Sequence, residues 1–389
     1  MRILQIHNRY RQLGGEDGVV ASEAELLRRN GHEVIEHFVS NPNGGASAAA
    51  SLAMAPWNPM SARTIRRVVL DVAPDVAHVH NTWFTLSPSV IAALHRSNVP
   101  IVMTLHNYRM VCVNALVFRD GHPCTDCVGR SPLPGVRHRC YRQSALQSAV
   151  AAATLSFNRA RGTWVNSVDR FIAPSRGLRD TLVAGGLPAD RFIVRPHAVA
   201  DAGPRTRPPS SSNTVVCVGR VSDEKGVDVL LHAWARARPT GLELVVVGDG
   251  PMREELERRS IDGVRFTGWL PAEEVRELML GARALVFPSV CFEVFPMTLV
   301  EAMSSGLPVI ASAHGGSAEI VGQIGPQWLA EPGRAEAWAE RLALLSDDAA
   351  LDIAGERARD IYASQYAPER GVGSLVDAYQ AAIDSGSRR

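Results

Sequence analysis

Two carboxylates, Glu293 and Glu301, stand eight positions apart in the apolar stretch VCFEVFPMTLVEAMSSGLPVIAS, residues Val290 to Ser312. Such a pair is either a solvated face or a site, and the local pattern decides which. The run ARALVFPS before them (Ala282 to Ser289) reads as a buried strand closed by a Pro-Ser loop. Pro296 suits the first position of a helix, where a missing N–H costs nothing. That helix is expected over Pro296 to Ser305, with Gly306 as a left-handed stop and Pro308 barring continuation. A second strand, PVIAS, follows. Glu293 then precedes a helix start and Glu301 sits in its second turn, at a parallel-sheet edge where anionic ligands bind.

A second cluster is cationic. VCVGRVSDEKGVDVLL ends a strand at Gly219 and puts Arg220 and Lys225 on the loop leading into a helix. Either residue alone reads as a solvent-exposed cation. Two cations at a strand's carboxyl end form a clamp for a diphosphate. Near the amino end, HNRYRQLGGEDGVVASEAELL places Gly14 and Gly15 between the first strand and the first helix. A simple turn explains that pair as well as close backbone approach to a ligand does. There is no G-x-G-x-x-G after either first strand and no G-x-x-x-x-G-K-[ST], which disfavours dinucleotide redox chemistry and ATP hydrolysis.

The elements that must position these groups alternate along the chain. Strands are expected at Ile3 to His7, Val34 to Val39, Val76 to His80, Ile101 to Leu105, Phe171 to Ala173 and Phe192 to Val194. In the second half TVVCVGR, LELVVVGDG, VRFTGW, RALVFPS and LPVIAS repeat the scheme, with helical patterns between. ADAGPRTRPPSSSN, residues 200–213, is rich in Pro, Ser and Gly and marks a linker. The reading is two Rossmann-like doubly wound α/β domains, 1–199 and 214–370, facing across a cleft. The chain has 389 residues, 46% hydrophobic and 21% charged, enough for two cores. Its net charge of +1 names no partner. Between Arg130 and Arg179, however, nine arginines (Arg130, Arg137, Arg139, Arg142, Arg159, Arg161, Arg170, Arg176, Arg179) meet only Asp169, with Asp180 just beyond. That surface is either a solvated face or a contact for an anionic membrane or a phosphate-bearing acceptor. No secretory signal opens the chain, and SALQSAVAAATLSF is too short and polar to span a bilayer. A cytoplasmic protein is expected, either free or peripheral to the inner face of the membrane, with no nucleic-acid partner.

The ordered set GGEDG, TLHN (Thr104 to Asn107), GRVSDEKG (Gly219 to Gly226), EVFPMTLVE (Glu293 to Glu301) and AMSSGLPVIAS resembles the family-four glycosyltransferases of the GT-B fold. It looks most like the bacterial enzymes that build capsular, exopolysaccharide or lipopolysaccharide chains. The resemblance implies a retaining, metal-independent hexosyltransferase using a UDP or GDP sugar and a glycan, lipid-linked or small-molecule acceptor. It implies that Glu301 accepts the ribose hydroxyls and that Glu293 lies near the transferred sugar. By the same resemblance the amides of Phe295, Met297 and Thr298 touch sugar or phosphate oxygens. Arg220 and Lys225 would hold the diphosphate, with Gly14 and Gly15 approaching it, His106 would contact the transferred sugar, and Gly268 and Trp269 would meet the base. Position 294 is Val where the family often has Gly, and position 107 is Asn where it often has Asp. The last helical pattern, about 371–387, should cross back onto the first domain.

Departure of a diphosphate from the sugar leaves negative charge on the leaving group, so cations and helix amides are the groups this chemistry needs. No Asp-x-Asp motif is present to hold a divalent metal, and no cofactor is expected for catalysis. Front-face attack with the diphosphate taking the proton is favoured over a covalent Glu293 intermediate. A nucleotide-sugar epimerase or a phosphorylase, and a non-catalytic nucleotide- or glycan-binding subunit, are the alternatives. Separately, Cys112, Cys124, Cys127 and Cys140 fall within thirty residues. They suit a structural zinc site or a set of free or redox-active thiols.

Overall fold

The structure, a computed structural model, describes residues 1–10 and 14–386. The chain forms two compact units. Unit 1 is Met1–Val117, Cys124–Pro196 and Gly371–Arg389; unit 2 is Phe118–Pro123 and His197–Arg370.

Unit 1 is built on β1 (Arg2–Arg9), β2 (Glu33–Ser40), β3 (Val76–Asn81) and β4 (Ile101–Thr104). After the small hairpin of β5 (Phe118–Arg119) and β6 (His122–Pro123), β7 (Arg170–Ala173) and β8 (Phe192–Val194) complete the sheet. Its order is β2-β1-β3-β4-β7-β8, parallel throughout. Ile3, Leu4 and Ile6 of β1 are fully buried, and so are Gln5 and His7. Both faces of the strand are therefore covered, with the polar Gln5 and His7 buried as well, as expected of a parallel sheet flanked by helices. The last helix, Pro368–Gly386, contributes Leu375, Ala378, Tyr379 and Ala382 to one core with Ile3, Ala24, Leu27 and Val76. The Tyr379 hydroxyl bonds His78 Nδ1 at 2.8 Å. Residue 387 of the expected helix lies outside the described residues.

Unit 2 repeats the plan with β9 (Thr214–Val218), β10 (Glu243–Val247), β11 (Val264–Gly268), β12 (Ala284–Phe287), β13 (Val309–Ser312) and β14 (Leu329–Ala330). The order is β11-β10-β9-β12-β13-β14, again parallel. Two parallel-sheet α/β domains are thus present, as the alternating pattern predicts.

Two details differ from the sequence reading. The units part between Pro196 and His197, and residues 200–213 belong to unit 2 rather than linking the domains. Their backbone is tied down by side chains. Arg205 donates to the Met279 and Ala282 carbonyls, Asp201 pairs with Arg359, and the Ser210 hydroxyl bonds Asp352 at 2.8 Å. Proline and serine here make an anchored strap. The second difference is the hairpin Phe118–Pro123, which falls in unit 2 although its flanks are in unit 1. Phe118 packs in a small cluster with Val290 and Cys291, and burial of that ring outweighs chain proximity.

Candidate active site

In unit 2 the strand order reverses between β9 and β12, the point in an open parallel sheet where loops part and a crevice opens. The loop after β9 carries Gly219 and Arg220, a short turn at Asp223–Lys225, and then Gly226, which caps the helix Val227–Ala237 with φ +65°. A Cβ on Gly226 would lie 2.3 Å from the Pro288 carbonyl oxygen, so both its dihedral and its surroundings require glycine. The loop after β12 carries Ser289, Cys291 and Glu293 and enters the helix Met297–Ser304, with Pro296 as its N-cap rather than its first helical residue.

These two loops meet. Lys225 Nζ lies 2.6 Å from Glu293 Oε1, and the Ser289 hydroxyl donates to the same oxygen at 2.6 Å. Burial alone would raise the Glu293 pKa, but the Lys225 charge and the bonds from Lys225 and Ser289 outweigh it and hold the carboxyl below its ordinary range. For Lys225 burial acts to neutralise and Glu293 prevails, raising its pKa. Both groups are therefore charged at neutral pH. His314 Nε2 donates to the Ser289 carbonyl at 3.0 Å, and Gly316 N–H donates to the Glu293 carbonyl at 2.7 Å. A Cβ at Gly315 or Gly316 would meet the Glu293 and Val294 carbonyls at 2.9 and 2.6 Å. The glycine pair after β13 thus lets a third loop close against the Glu293 backbone.

Around this core the remaining candidates take distinct places. The Arg220 side chain is exposed and has no ion pair among the described residues. Glu301 is half-buried in the second turn of its helix, and burial raises its pKa. A carboxylate with unfilled acceptor capacity suits a ligand's hydroxyls. The Phe295 ring is buried against His197 and Tyr366, at 5.3 and 5.9 Å, so only its backbone can serve a ligand, while Met297 and Thr298 open the helix. Gly268 ends β11 with φ +73°, and Trp269 beside it is 73% exposed.

Unit 1 has its own reversal, between β1 and β3. Gly14 caps the helix Gly15–Arg29 with an extended φ of −122°, and a Cβ there would meet nothing within 4 Å. Neither strain nor crowding inside the chain requires glycine at that position. Gly14 N–H donates to Asp17 Oδ2 at 2.9 Å, and Asp17 Oδ1 pairs with His7 at 3.0 Å. Asn81, at the end of β3, donates to Glu16 Oε1 at 3.0 Å. Burial, with Asp17 adding to it against Asn81 and Arg109, raises the Glu16 pKa to about 8. His106 follows β4 and lies 3.1 Å from His80 across stacked rings. Both histidines line a cavity with Trp83, Arg109, Leu155 and Trp164. Arg109 lies over the Trp83 and Tyr141 rings, 4.6 and 4.9 Å from their centroids.

Sequence reasoning put Lys225 and Glu293 on loops after two strands, which the structure joins as an ion pair, but it missed Ser289, His314, Gly315 and Gly316, and in unit 1 Glu16, His80, Asn81 and Arg109. The available signal was the pair Gly315–Gly316 directly after a strand, the same pattern as Gly14–Gly15.

The four cysteines are not in disulfides; Cys112 and Cys127 are buried, Cys124 and Cys140 half-buried. Burial raises the Cys127 pKa, a Gly135 backbone bond opposes it, and the nearby Cys112 and Cys124 add to it. Cys112 Sγ donates to Asn114 at 2.9 Å. Among the described residues, the set of three His, Cys, Asp or Glu ligand atoms within 4.8 Å of one another is Glu23, His78 and His80. Both His78 ring nitrogens are already engaged, by Thr104 and Tyr379, so that set is a hydrogen-bonded cluster.

Comparison with known proteins places this geometry. Residues 13–202 match the model of Glycosyltransferase Family 4, and residues 212–348 that of Glycosyl transferases group 1. The chain is a family-four glycosyltransferase of the GT-B fold. It is similar to the 2-deoxystreptamine glucosyltransferase of Streptomyces kanamyceticus, at 29% identity over 79% of this chain and 77% of that one. It is also similar to a putative colanic acid biosynthesis glycosyltransferase of Escherichia coli, at 29% identity over 41% of this chain and only 40% of the relative's length. Among solved structures, Anabaena HepE in complex with UDP superposes with a TM-score of 0.71 at 16% identity, covering 98% of this glycosyltransferase and all of that chain. HepE has also been solved with UDP-glucose.

Proposed function

We propose that this glycosyltransferase moves a hexose from a UDP or GDP sugar to a hydroxyl of a glycan, lipid-linked or small-molecule acceptor, retaining anomeric configuration and needing no divalent metal. The observation that carries the reading is the ion pair of Lys225 and Glu293 at the β9–β12 reversal, beside the exposed Arg220 and the start of the helix Met297–Ser304. Lys225, Arg220 and the helix amides take the diphosphate charge as the sugar bond breaks. Glu301 takes the ribose hydroxyls, Glu293 faces the sugar, His106 contacts the sugar from unit 1, and Gly14 and Gly15 approach the diphosphate. The acceptor hydroxyl attacks on the face the diphosphate leaves, and the departing oxygen takes its proton. The UDP and UDP-glucose complexes of HepE support a nucleotide-sugar donor. The test is turnover of UDP-glucose, UDP-N-acetylglucosamine and GDP-mannose in EDTA. One donor should be consumed, with loss of about a hundredfold or more in Arg220→Ala; turnover only with added magnesium, or of none, contradicts the reading.

Two peripheral features belong to the same proposal. Arg130, Arg137, Arg139, Arg142, Arg161 and Arg176 are exposed, as are Leu133 and Leu146 (69 and 75%), which supports peripheral contact with an anionic bilayer. No helix among the described residues is long and apolar enough to cross a membrane. Cys112, Cys124, Cys127 and Cys140 would hold a structural zinc as thiolates.

A further inference from the structure

Two side chains that the proposed reaction does not use stand together at the carboxyl ends of β10 and β11. The Trp269 ring is exposed and makes no hydrogen bond or ring contact among the described residues. Arg253 opens the short helix Arg253–Glu257 after β10 and is half-buried. Its acids stand off, with Asp249 Oδ1 4.0 Å from Nη1 and Glu257 Oε2 3.5 Å from Nε. Arg253 Nε is buried without a hydrogen-bond partner, and neither Nη atom has one among the described residues. A partly covered guanidinium ordinarily spends its planar fork on carboxylates or carbonyls. Here the fork is unspent.

Packing holds it in place instead. A Cβ on Gly268 would lie 2.8, 3.2 and 3.5 Å from Arg253 Nη1, Cζ and Nη2. The guanidinium therefore fills the space of a side chain at position 268 and lies against that residue's backbone. The loop that carries Arg253 is also stitched to both of its neighbours. Gly219 N–H donates to the Val247 carbonyl at 3.0 Å, Val221 N–H to Asp249 at 3.0 Å and Met252 N–H to Val221 at 3.2 Å, while Gly248 N–H donates to the Gly268 carbonyl at 2.8 Å. A Cβ on Gly248 or Gly250 would fall 1.9 or 2.2 Å from the Gly219 or Val221 carbonyl oxygen, so the loops after β9 and β10 touch backbone to backbone. Arg220, Arg253 and Trp269 thus sit in order at the ends of three adjacent strands, β9, β10 and β11. Two strand spacings, about 10 Å, separate the first strand from the last, a step the size of a nucleoside.

An exposed indole beside an unspent planar donor fits a flat heterocycle with acceptor atoms on its edge. A guanidinium cannot accept a hydrogen bond, so it discriminates between such edges. Uracil presents O4 and guanine O6 with N7, whereas cytosine and adenine carry an amino group at the matching position, a donor against a donor. We propose that Arg253 reads the base of the donor nucleotide, its Nη hydrogens donating to the carbonyl oxygen of a keto base, O4 of uracil or O6 of guanine. The assignment rests on the proposed nucleotide-sugar donor and adds to it the group that selects the base.

The experiment is competitive titration of the full chain with UDP against CDP and with GDP against ADP, each pair exchanging a carbonyl for an amino group at that edge. In the pair that binds more tightly, the keto member should bind the parent about tenfold or more better than the amino member. Arg253→Met keeps an apolar stem against Gly268 and removes the donors. In it, affinity for the keto member should fall about tenfold to a hundredfold while that for the amino member changes by less than about threefold, so the preference collapses. Arg253→Gln, which accepts as well as donates, should narrow the preference too and serves alone if Arg253→Met does not fold. Equal or tighter binding of the amino member by the parent, or an unchanged preference in a folded variant, would overturn the proposal. So would equal weakening of both members, the mark of a phosphate contact or of a loosened loop. If the folded parent binds none of the four nucleotides, the donor reading itself fails; if a keto nucleotide binds and its preference survives the substitution, the Arg253 assignment fails alone.

Discussion

Lys225 and Glu293 illustrate how a charge can be kept in a half-covered crevice. Each would tend toward neutrality alone, and each holds the other ionised at 2.6 Å. Lys225→Met should therefore cost about 1–3 kcal/mol at pH 7, because Glu293 is left covered and unpaired. The sign with pH follows from the lowered Glu293 pKa. The pair's contribution is fully present above the ordinary carboxylate range and is lost as pH falls through the depressed folded value. The difference between parent and variant in chemical denaturation should accordingly shrink toward pH 3. Glu16 behaves oppositely. With a folded pKa raised to about 8, it holds a proton that the unfolded chain has released, so stability declines as pH rises from about 4.5 to 8. Glu16→Gln keeps an oxygen for Asn81 and removes the titration. It should gain roughly 1–3 kcal/mol on the parent between pH 5 and pH 9, a modest figure given partial exposure and a favourable helix start. A constant difference across that range would contradict the account. That Lys225 and Glu293 both sit on loops after strands was legible in the sequence; that the two loops meet as an ion pair was not. Ser289 and His314 were not legible either, because serine and histidine in loops have many uses, and only the folded chain brings His314 to the Ser289 carbonyl.

At the scale of elements, the central parallel strands β3, β4, β12 and β13 were readable because both faces are buried, which writes them as mostly apolar runs. Five residues of TVVCV became β9, and ALVF became β12, within the expected stretches. The hairpin Phe118–Pro123 and the strand Leu329–Ala330 were missed, since two-residue strands leave no periodicity to read. The strap at 200–213 was misread for a different reason: composition signals irregular backbone and says nothing of what anchors it. Glycines link the elements to the site. Gly226→Ala combines a left-handed φ of +65° with a Cβ 2.3 Å from the Pro288 oxygen, pushing apart the two loops that carry Lys225 and Glu293. We expect a loss of more than 1 kcal/mol in stability together with weaker nucleotide binding. Unchanged nucleotide affinity in this variant would show that the loops are not coupled as described.

At the scale of the molecule, the chain leaves unit 1 after Pro196 and returns to it at Gly371. Within unit 1, Arg195 grips the returning Gly371 carbonyl; within unit 2, the Tyr362 hydroxyl bonds the Val199 carbonyl at 2.9 Å and Val199 N–H bonds the Tyr366 carbonyl at 2.9 Å. The last helix is therefore a core element of unit 1 despite its distance in sequence. Tyr379→Ala removes a fully buried ring and the partner of His78 Nδ1, and should destabilise unit 1 by about 3–5 kcal/mol. In calorimetry one melting transition should fall while a unit 2 transition remains; a parallel shift of the whole profile would mean that the units unfold as one.

The central claim is a nucleotide-diphosphate site in unit 2, and calorimetric titration with UDP, GDP and ADP in metal-free buffer tests it most directly. Micromolar binding of one nucleotide is expected, lost in both Arg220→Ala and Glu301→Ala with their folding intact. Absence of binding to all three by the folded parent, or binding that survives both substitutions, would contradict it.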